Sequence, residues 1–413
     1  MKQPITTFHG LGIAPGILVI LERLQFAKPT PIQSQTIPVA IEGKDVVGVA
    51  QTGTGKTLAF AIPMVQRLAN SRLQGLVLLP TRELALQVDE EFNKVGRSLG
   101  LRTSVLIGGL PMYTQVRAIR QNPHIIIATP GRLIDHLQQK NIRFDNINTL
   151  VLDEADRMLD MGFLPQIRRI LQAIPKDRQT MLFSATLPRE VMHIASSYMK
   201  LPVRIEIAPS GTTVDETTQE IFIVARNAKL RLLEKILSER KGSVLVFTRT
   251  KHGARHVNIA VRAMGHTSSE IHANRSLNQR KDALAGFKSG KYRVLIATDI
   301  AARGIDVRAI ELVINYDLPA QSEDYVHRIG RTGRAGAKGH AISFALPEEQ
   351  RGIRNIERLI RKNLRISKLP ELPPERHVPR PSFAHSNPRP RTHGRRPSRG
   401  SFRERSRYNP RHR

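Results

Sequence analysis

The sequence of 413 residues contains neither cysteine nor tryptophan, and only 5% of its residues are aromatic. The lack of cysteine excludes a disulfide framework, a thiolate nucleophile and a zinc site built on thiolates, and it fits a reducing compartment. No apolar run is long enough to span a membrane, and the start MKQPITTFHG lacks the pattern of a secretory signal. We therefore expect a soluble protein of the cytoplasm with no membrane partner.

Acidic residues are scarce relative to basic ones, since 35 Asp and Glu stand against 65 Lys and Arg and leave a formal charge of +30. Solubility alone does not need so large an excess of one sign, so we expect a polyanionic partner. Residues 371–413 contain 12 Arg, no Lys and 3 Glu. The excess is therefore concentrated at the C-terminus, although the rest of the chain is basic as well.

Residues 368–413 form the predicted C-terminal tail. The segment lacks hydrophobic periodicity and is dominated by Arg, Pro, Ser and Gly, so we expect it to be disordered when free. Its arginines, together with Phe383, Phe402 and Tyr408, favour an arm that grasps nucleic acid and stacks aromatic rings on bases. A tail that only keeps the protein soluble is the alternative.

The length of the chain exceeds the size at which one hydrophobic core keeps growing, so we expect two domains. Short runs that are apolar on both faces, each followed by a helix-like segment, indicate parallel strands buried under helices. We predict two doubly wound α/β domains with parallel sheets, at residues 1–208 and 218–367, joined by a linker at 209–217. The apolar runs are DVVGVA (45–50), GLVLLP (75–80), TSVLIG (103–108), HIIIAT (124–129), TLVLDE (149–154), TMLFSAT (180–186), EIFIVA (220–225), SVLVFT (243–248), RVLIAT (293–298), ELVINY (311–316) and HAISFA (340–345).

The stretch AQTGTGKT (50–57) follows a predicted strand and precedes a helical pattern, which is the setting of a phosphate-binding loop. Its glycines let backbone N–H groups wrap phosphates, Lys56 would reach the β- and γ-phosphates, and the Thr57 hydroxyl would bind Mg²⁺. The strict pattern has glycine in place of Ala50, and a small residue is still compatible with the turn. The predicted nucleotide-binding residues of this loop are Ala50, Gln51, Thr52, Gly53, Thr54, Gly55, Lys56 and Thr57.

Two acids lie at the end of another predicted strand, in VLDEAD (151–156). Asp153 would hold Mg²⁺, and Glu154 would orient or activate the attacking water, because phosphoryl transfer needs metal charge and an aligned nucleophile. A merely solvated pair of carboxylates is the alternative, which the upstream phosphate-binding loop disfavours. Lys56, Asp153 and Glu154 are therefore the candidate catalytic residues of the first domain.

With these motifs in order, the chain resembles the DEAD-box RNA helicases of superfamily 2 from Phe8 to about Arg365. PTPIQ (29–33) is similar to the adenine-reading motif of that family. The resemblance implies that Gln33 hydrogen-bonds the adenine and that Phe26 stacks on it, with Phe8 in support. A carboxamide suits this role because it donates and accepts at once. The resemblance also implies two RecA-like domains that use ATP and Mg²⁺.

Further motifs resemble the RNA contacts of the family, and those of the first domain lie at carboxyl ends of predicted strands, where an open parallel sheet binds ligands. They are PTREL (80–84), GG (108–109), TPGR (129–132), VFTRTK (246–251) and ATDIAARGID (297–306). The resemblance implies sugar–phosphate contacts with little sequence preference. A capping threonine or a surface arginine is the alternative for any one of them. The implied RNA-binding residues are Thr81, Arg82, Gly109, Thr129, Arg132, Arg249, Thr298 and Gly304.

Three arginines lie three residues apart in HRIGRTGRAG (327–336), and such cations repel one another unless an anion lies among them. The anion is either a nucleic-acid backbone or a bound nucleotide. The resemblance favours the nucleotide and implies that Arg331 and Arg334 are arginine fingers on the γ-phosphate. Arg328 is equally compatible with a structural ion pair and with a phosphate contact.

Other positions have roles that only the resemblance implies. SAT (184–186) resembles the motif that couples hydrolysis to strand separation, and Asp306 matches a position that contacts the ATP ribose. The implied coupling residues are Ser184, Thr186 and His327.

Two positions depart from the family pattern. Gln25 occupies a place where the family usually has glycine before the aromatic, which bears on the local turn. Leu277 occupies the place of a glutamine three residues before Arg280, a departure that bears on the role of Arg280. The string GHAISF and the arginine-rich tail suggest the bacterial RhlE type within the family.

The resemblance implies that ATP and single-stranded RNA bind across the cleft between the two domains, close it and pry apart a short duplex. Neither domain holds the full catalytic set, so hydrolysis would depend on closure. An RNA-annealing chaperone regulated by ATP and a DNA-directed helicase of the same superfamily are the alternatives. Ribosome assembly and RNA decay are the two settings in which protein partners are expected.

Overall fold

Two β-sheets, one in each half of the chain, organise the protein in this computed structural model. The structure describes residues 7–51, 53–69, 71–207, 217–299, 310–333 and 339–374. Each sheet has seven strands, and every pair of neighbouring strands is parallel. The predicted tandem of doubly wound α/β domains is therefore confirmed.

The first sheet has the strand order β3-β4-β2-β5-β6-β1-β7. Its strands are β1 Val46–Val49, β2 Gln74–Leu78, β3 Thr103–Leu106, β4 Ile125–Ala128, β5 Ile147–Leu152, β6 Gln179–Ser184 and β7 Val203–Glu206. Successive side chains of a strand point to opposite faces, and Val46 and Val47 accordingly belong to two different hydrophobic clusters. A core on each face explains why the interior strands are continuous apolar runs.

Helices cover the first sheet, and their amphipathic patterns supply the rest of the two cores. They are α1 Pro15–Arg23, α2 Pro31–Ile41, α3 Lys56–Leu68, α4 Arg82–Gly96, α5 Met112–Arg120, α6 Pro130–Gln138, α7 Ala155–Asp160, α8 Leu164–Ala173 and α9 Arg189–Tyr198, with a 3-10 turn at Arg97–Leu99.

The second sheet has the strand order β10-β11-β9-β12-β13-β8-β14, which repeats the order of the first sheet with seven added to each number. Both halves therefore share one topology. Its strands are β8 Thr217–Ile223, β9 Val244–Thr248, β10 Ser268–Ile271, β11 Val294–Thr298, β12 Leu312–Asn315, β13 Gly339–Ala345 and β14 Arg365–Ser367.

The helices of the second half pack on this sheet in the same manner. They are α10 Lys229–Glu239, α11 Lys251–Ala263, α12 Leu277–Lys288, α13 Ser322–Ile329 and α14 Gln350–Ile360, with 3-10 turns at Arg226–Ala228 and Pro347–Glu349. Within the described ranges, no helix is long and apolar enough to cross a membrane.

Two predicted boundaries shift in the structure. Thr217, the last residue of the expected linker, already belongs to β8 and is paired with Gly339. The expected tail also begins too early, because Leu372 packs against the second core and Arg231 donates hydrogen bonds to the Leu372 and Pro373 carbonyl oxygens at 3.3 and 2.5 Å. The rest of the tail and most of the linker lie outside the described residues.

Gln25, the departure near the aromatic, adopts a φ of 60° just after α1. This is the left-handed region that glycine enters without a steric penalty. Its amide N donates to the Glu22 carbonyl oxygen at 2.9 Å, and the Phe26 amide N donates to the Leu21 carbonyl oxygen at 2.9 Å. The chain therefore makes the same kind of turn as a glycine would, at the cost of local backbone strain.

Strand order also determines where candidate site residues meet. Strands β5, β6 and β1 are neighbours, and so are β3, β4 and β2. Because all strands run parallel, their carboxyl ends lie along one edge of the sheet, where open α/β sheets bind ligands. The predicted nucleotide-binding motifs follow the first group of strands, and the predicted RNA-binding motifs of the first domain follow the second group. Each set therefore occupies its own part of that edge.

Candidate functional site

The loop that follows β1 is held by a hydrogen bond from its own lysine, Lys56. Lys56 is buried at the start of α3, and its Nζ donates a hydrogen bond to the Ala50 carbonyl oxygen at 2.8 Å. The Ala50 amide N in turn donates to the Ser184 carbonyl oxygen at 3.0 Å. A buried ammonium at a helix N-terminus forms a site for an anion such as a phosphate.

The other described residues of this loop complete the turn. The Thr54 hydroxyl donates to the Gln51 carbonyl oxygen at 2.7 Å, and Gly53 has a φ of 89°. Gly55 has a φ of 87°, and an added Cβ would lie 2.4 Å from Nε2 of Gln33, so the turn requires glycine. Thr57 is half-buried in the first turn of α3.

Gln33 joins the start of α2 to this loop. Its Oε1 accepts a hydrogen bond from the Thr30 amide N at 2.9 Å, and its Nε2 donates to the Gly55 carbonyl oxygen at 3.0 Å. A carboxamide has two donor hydrogens and two acceptor lone pairs, so one of each is left for a ligand. Phe26 packs half-buried against the first core, to which Phe8 belongs. A planar base could therefore stack on the ring of Phe26 and hydrogen-bond with the Gln33 carboxamide.

Asp153 and Glu154 follow β5, and both are buried. Burial raises the pKa of Asp153 to about 6, although the charge of Lys56 opposes the rise. Burial also disfavours the charge of Glu154, but Arg157, Lys56 and Arg331 outweigh it and lower the pKa of Glu154 to about 2. Arg157 forms a short ion pair with Glu154. Glu154 is therefore an ionised carboxylate at neutral pH, which suits the orientation of a water molecule.

The backbone of Glu154 is strained. Its φ and ψ are both 52°, in the left-handed region, and its amide N donates to Oδ1 of Asp153 at 2.9 Å. A residue with a side chain pays roughly 1–2 kcal/mol for this conformation, and such strain is concentrated at functional sites. The turn places both carboxylates at the carboxyl edge of the sheet.

Asp156 connects this acidic turn to the end of β6. Its Oδ2 accepts hydrogen bonds from the Thr186 amide and hydroxyl, both at 2.9 Å, and its amide N donates to Oγ of Ser184 at 3.2 Å. Sequence reasoning assigned no role to Asp156 or to Arg157, although both lie within or next to the quoted acidic run. The signal that could have found them is a third acid two residues after Glu154, followed by a cation.

The second half contributes two residues to the same cluster. Arg331 is buried after α13, its Nε donates to the His327 carbonyl oxygen at 3.3 Å, and its charge helps to lower the pKa of Glu154. Burial lowers the pKa of His327 to about 4, and the charge of Arg157 lowers it further against the pull of Asp156 and Glu154. The structure therefore brings the two halves together at Glu154.

Arg328 serves a structural role. It is buried, its Nε and Nη2 donate to the two carboxylate oxygens of Asp299 at 2.5 and 2.7 Å, and its Nη1 donates to Oδ1 of Asn315 at 3.1 Å. Its guanidinium also lies 5.0 Å from the ring centre of Phe247. Of the two roles that the sequence left open, the structure supports the ion pair.

A second candidate site is a cavity of about 530 Å³ at the other end of the carboxyl edge. All five residues of the first domain that the sequence predicts to contact RNA line this cavity, together with two residues of the second half. Its lining includes Thr81, Arg82, Gly109, Thr129 and Arg132 together with Ala273 and Arg280.

Local contacts hold these residues in place. The Thr81 hydroxyl caps α4 by accepting from the Leu84 amide N at 3.3 Å, so the capping role is present. The Arg82 guanidinium lies against Gly109, where an added Cβ would come within 2.4 Å of Nη1. Arg132 donates from Nη1 to the Leu110 carbonyl oxygen at 3.0 Å. The glycine loop therefore gives the arginines room to approach an anion.

The cavity is crowded with cations. Burial lowers the pKa of Arg82, and the charges of Arg280 and Arg132 lower it further, while Glu83 acts in the opposite direction. Arg280 reaches across from the second half to form an ion pair with Glu83 at 2.9 Å. A phosphate backbone in this cavity would relieve the repulsion.

Arg249 and Thr298 lie outside the lining of this cavity, at the carboxyl ends of the paired strands β9 and β11. Arg249 donates from its amide N to Oδ2 of Asp317 at 3.0 Å and from Nη2 to Oε1 of Glu349 at 2.8 Å. Four predicted site residues lie outside the described residues: Thr52, Gly304, Asp306 and Arg334.

Comparison with known families gives a consistent result. The DEAD/DEAH box helicase profile matches residues 30–194, and the profile of the helicase conserved C-terminal domain matches residues 228–336. The chain is 42% identical over 363 residues to the DEAD-box ATP-dependent RNA helicase CshA of Bacillus cereus, covering 87% of this chain and 69% of CshA.

Two solved structures are similar over nearly the same extent. Saccharomyces cerevisiae Dbp5 bound to RNA and ADP BeF3 matches with a TM-score of 0.79 at 31% identity, over 87% of this chain and 95% of that chain. A DEAD box protein from Methanococcus jannaschii matches with a TM-score of 0.53 at 37% identity, over 88% of this chain and 99% of that chain. The match to Dbp5 therefore has the higher TM-score although its sequence identity is lower.

The structural role of Arg328 is testable by stability. We expect Arg328→Ala to destabilise the fold by about 3 kcal/mol, because it leaves Asp299 without its bidentate partner in a largely buried setting. Thermal unfolding of the full chain measures the loss, and Arg354→Ala on the exposed surface of α14 is the control. An unchanged unfolding temperature together with lost ATPase activity would identify Arg328 as a phosphate contact instead.

Proposed function

The chain belongs to the DEAD-box ATP-dependent RNA helicases, and on that premise we propose that the buried cluster around Glu154 is its ATP-hydrolysing centre and that the cavity beside Arg82 holds RNA. The protein is an RNA-stimulated ATPase and an ATP-dependent RNA helicase. The observation that carries the assignment of the site is that Arg331, a buried residue of the second half, lies near enough to the buried Glu154 for its charge to lower the pKa of that carboxylate, which is thereby suited to orient water.

The residues divide the chemistry between them. Lys56 would bind the β- and γ-phosphates, Glu154 would align the attacking water, and Arg331 would stabilise the charge that develops on the γ-phosphate. The second half provides Arg331, so the catalytic set is complete only when the domains are closed. Adenine would take the remaining donor and acceptor of Gln33, with Phe26 on its face. Arg334 and Asp306 remain predictions as the second arginine finger and the ribose contact.

The donor set fits Mg²⁺ held together with a nucleotide. Asp153 and Thr57 offer a carboxylate and a hydroxyl, which are the oxygen ligands that Mg²⁺ prefers, and no cluster of three metal-binding side chains occurs among the described residues. An ion with so few protein ligands would take its other ligands from phosphates and water. When bound, Mg²⁺ supplies positive charge to the phosphate oxygens. Burial makes the charge of Asp153 costly, and a cation beside it would offset that cost.

RNA binding would rest on contacts to the sugar–phosphate backbone of the RNA and would therefore depend little on the RNA sequence. Thr81, Arg82, Gly109, Thr129 and Arg132 would grip sugar–phosphate in the cavity. The structural likeness to Dbp5 bound to RNA, with a TM-score of 0.79, supports this assignment. Arg249, Thr298 and Gly304 are proposed to continue the contacts along the second sheet.

Finer assignments stay predictions. The RhlE type has no support from the relative described above, which carries the name CshA. Protein partners in ribosome assembly or RNA decay and a cytoplasmic location likewise await experiment.

Replacement of the water-orienting carboxylate tests the proposed centre. We expect Glu154→Gln to retain ATP binding and to lose RNA-stimulated hydrolysis by about 100-fold or more, because the amide keeps the shape and removes the charge. Nucleotide binding and steady-state ATPase with saturating single-stranded RNA are the measurements, and the exposed Glu190→Gln is the control. Hydrolysis at the parental rate would remove Glu154 from this role.

The half-buried His327 predicts a pH dependence. Burial and the charge of Arg157 from the first half lower the pKa of His327 to about 4. Separation of the two halves would remove Arg157 and let the pKa rise towards its ordinary value of 6.5, so closing the domains around a protonated imidazole is disfavoured. The open form therefore binds more protons as pH falls from about 6.5 towards 4, and closure weakens in that window. We expect RNA-stimulated ATPase to decline there more steeply in the parent than in His327→Gln. Profiles of identical shape would exclude this histidine as the cause.

The tail is tested by truncation after Pro374, which keeps Leu372 and Pro373 in their contacts with the second domain. We expect weaker RNA binding and a smaller salt dependence, because fewer arginine–phosphate contacts release fewer counterions. Basal ATPase should be spared. RNA affinity measured across a salt series decides the matter, and an unchanged slope would reduce the tail to a solubilising segment.

A further inference from the structure

Leu277 crosses from the second half of the chain into the core of the first. It is the first residue of α12, only 5% of it is exposed, and it belongs to the hydrophobic cluster built from residues of the first half. Among the described residues, it is the one member of that cluster contributed from beyond β8. The departure from the family pattern noted in the sequence is therefore an apolar contact between the domains.

The first turn of α12 is held rigidly for this contact. Ser276 caps the helix: its hydroxyl accepts from the Gln279 amide N at 3.2 Å, and the Gln279 side chain accepts from the Ser276 amide N at 3.0 Å. Leu277 and Arg280 lie three residues apart and so share a face of the helix. Arg280 forms the ion pair with Glu83, and both residues line the cavity that is proposed to hold RNA. One helical turn thus offers an apolar and an ionic contact to the first domain.

The electrostatic contribution to closure of this cavity has opposing parts. Closure brings Arg280 next to Arg82, and burial and then the charge of Arg280 lower the pKa of Arg82. Arg280 is itself nine-tenths buried, lines the cavity and has a buried Nε without a hydrogen-bond partner. Repulsion between the guanidiniums offsets part of the ion pair until a phosphate arrives. An apolar contact has no such dependence on the anion or on salt.

Resting on the proposed function, we propose that Leu277 is a positioning residue that fastens the second domain onto the first and thereby determines how tightly the closed, ATP-bound form holds RNA. The contact joins the two domains, so it would contribute to RNA affinity only under conditions that bring the domains together. By linkage, the same contact strengthens ATP binding in the presence of RNA.

The test measures RNA affinity in two nucleotide states. Fluorescence anisotropy of a labelled single-stranded RNA is recorded with a non-hydrolysable ATP analogue and with ADP. We expect Leu277→Ala to weaken binding roughly 10- to 100-fold with the analogue, the range that corresponds to transferring one leucine side chain from water into an apolar contact, and to leave the ADP state nearly unchanged. Leu277→Gln should behave like the alanine variant, because the surrounding cluster is apolar. Leu277→Met should restore binding to within about threefold, because it conserves volume.

Leu284→Ala is the matched control, since Leu284 lies on the same helix and packs against a core of the second domain. It is expected to lower thermal stability without separating the two nucleotide states. In ATPase assays, Leu277→Ala should raise the RNA concentration for half-maximal activity far more than it lowers the maximal rate.

Two outcomes would overturn the proposal: equal losses of RNA affinity with ADP and with the analogue, or parental affinity of Leu277→Ala in both states. A parent chain whose ATPase does not respond to RNA would instead overturn the proposed function, so the two failures are distinguishable.

Discussion

Compensation of buried charge where the two halves meet is the constraint on which the arrangement depends. Glu154 is a buried carboxylate in a strained turn, and Arg157 and Lys56 of its own domain only partly surround it. Arg331 of the second half completes the set of cations. A buried carboxylate that loses a cationic partner is costly, so the ionised centre and the closed arrangement favour each other. With Glu154 in the proposed role of orienting water, ATP hydrolysis would thereby be coupled to domain closure.

Repetition of one strand order gives this coupling its geometry. In the first sheet, the predicted nucleotide-binding motifs follow β5, β6 and β1, and the predicted RNA-binding motifs follow β3, β4 and β2. Both sets lie along the same carboxyl edge. The second half meets that edge at both ends, with Arg331 at the proposed nucleotide centre and Arg280 at the cavity beside Arg82. One rigid movement of the second domain can therefore act on both sites, which is the physical basis for linking ATP hydrolysis to RNA binding.

Sequence reasoning recovered the interior strands, because these are continuous apolar runs, and it also recovered the edge strand β3, whose run TSVLIG is largely apolar. It missed β7, β10 and β14, which are edge strands with mixed or polar residues. It also identified the motifs around Lys56 and Glu154, since their spacing is local. The pairing of Glu83 with Arg280 and the burial of Leu277 depend on residues far apart in sequence, so no local pattern could indicate them.

Closure itself is the most direct quantity to measure. The absence of cysteine allows Ser196→Cys and Ser238→Cys, both exposed and one in each domain, to carry a fluorophore pair for single-molecule energy transfer. The account predicts that the interdomain distance collapses to one short value only when a non-hydrolysable ATP analogue and single-stranded RNA are both present. A distance that stays the same with neither, either or both ligands would contradict it.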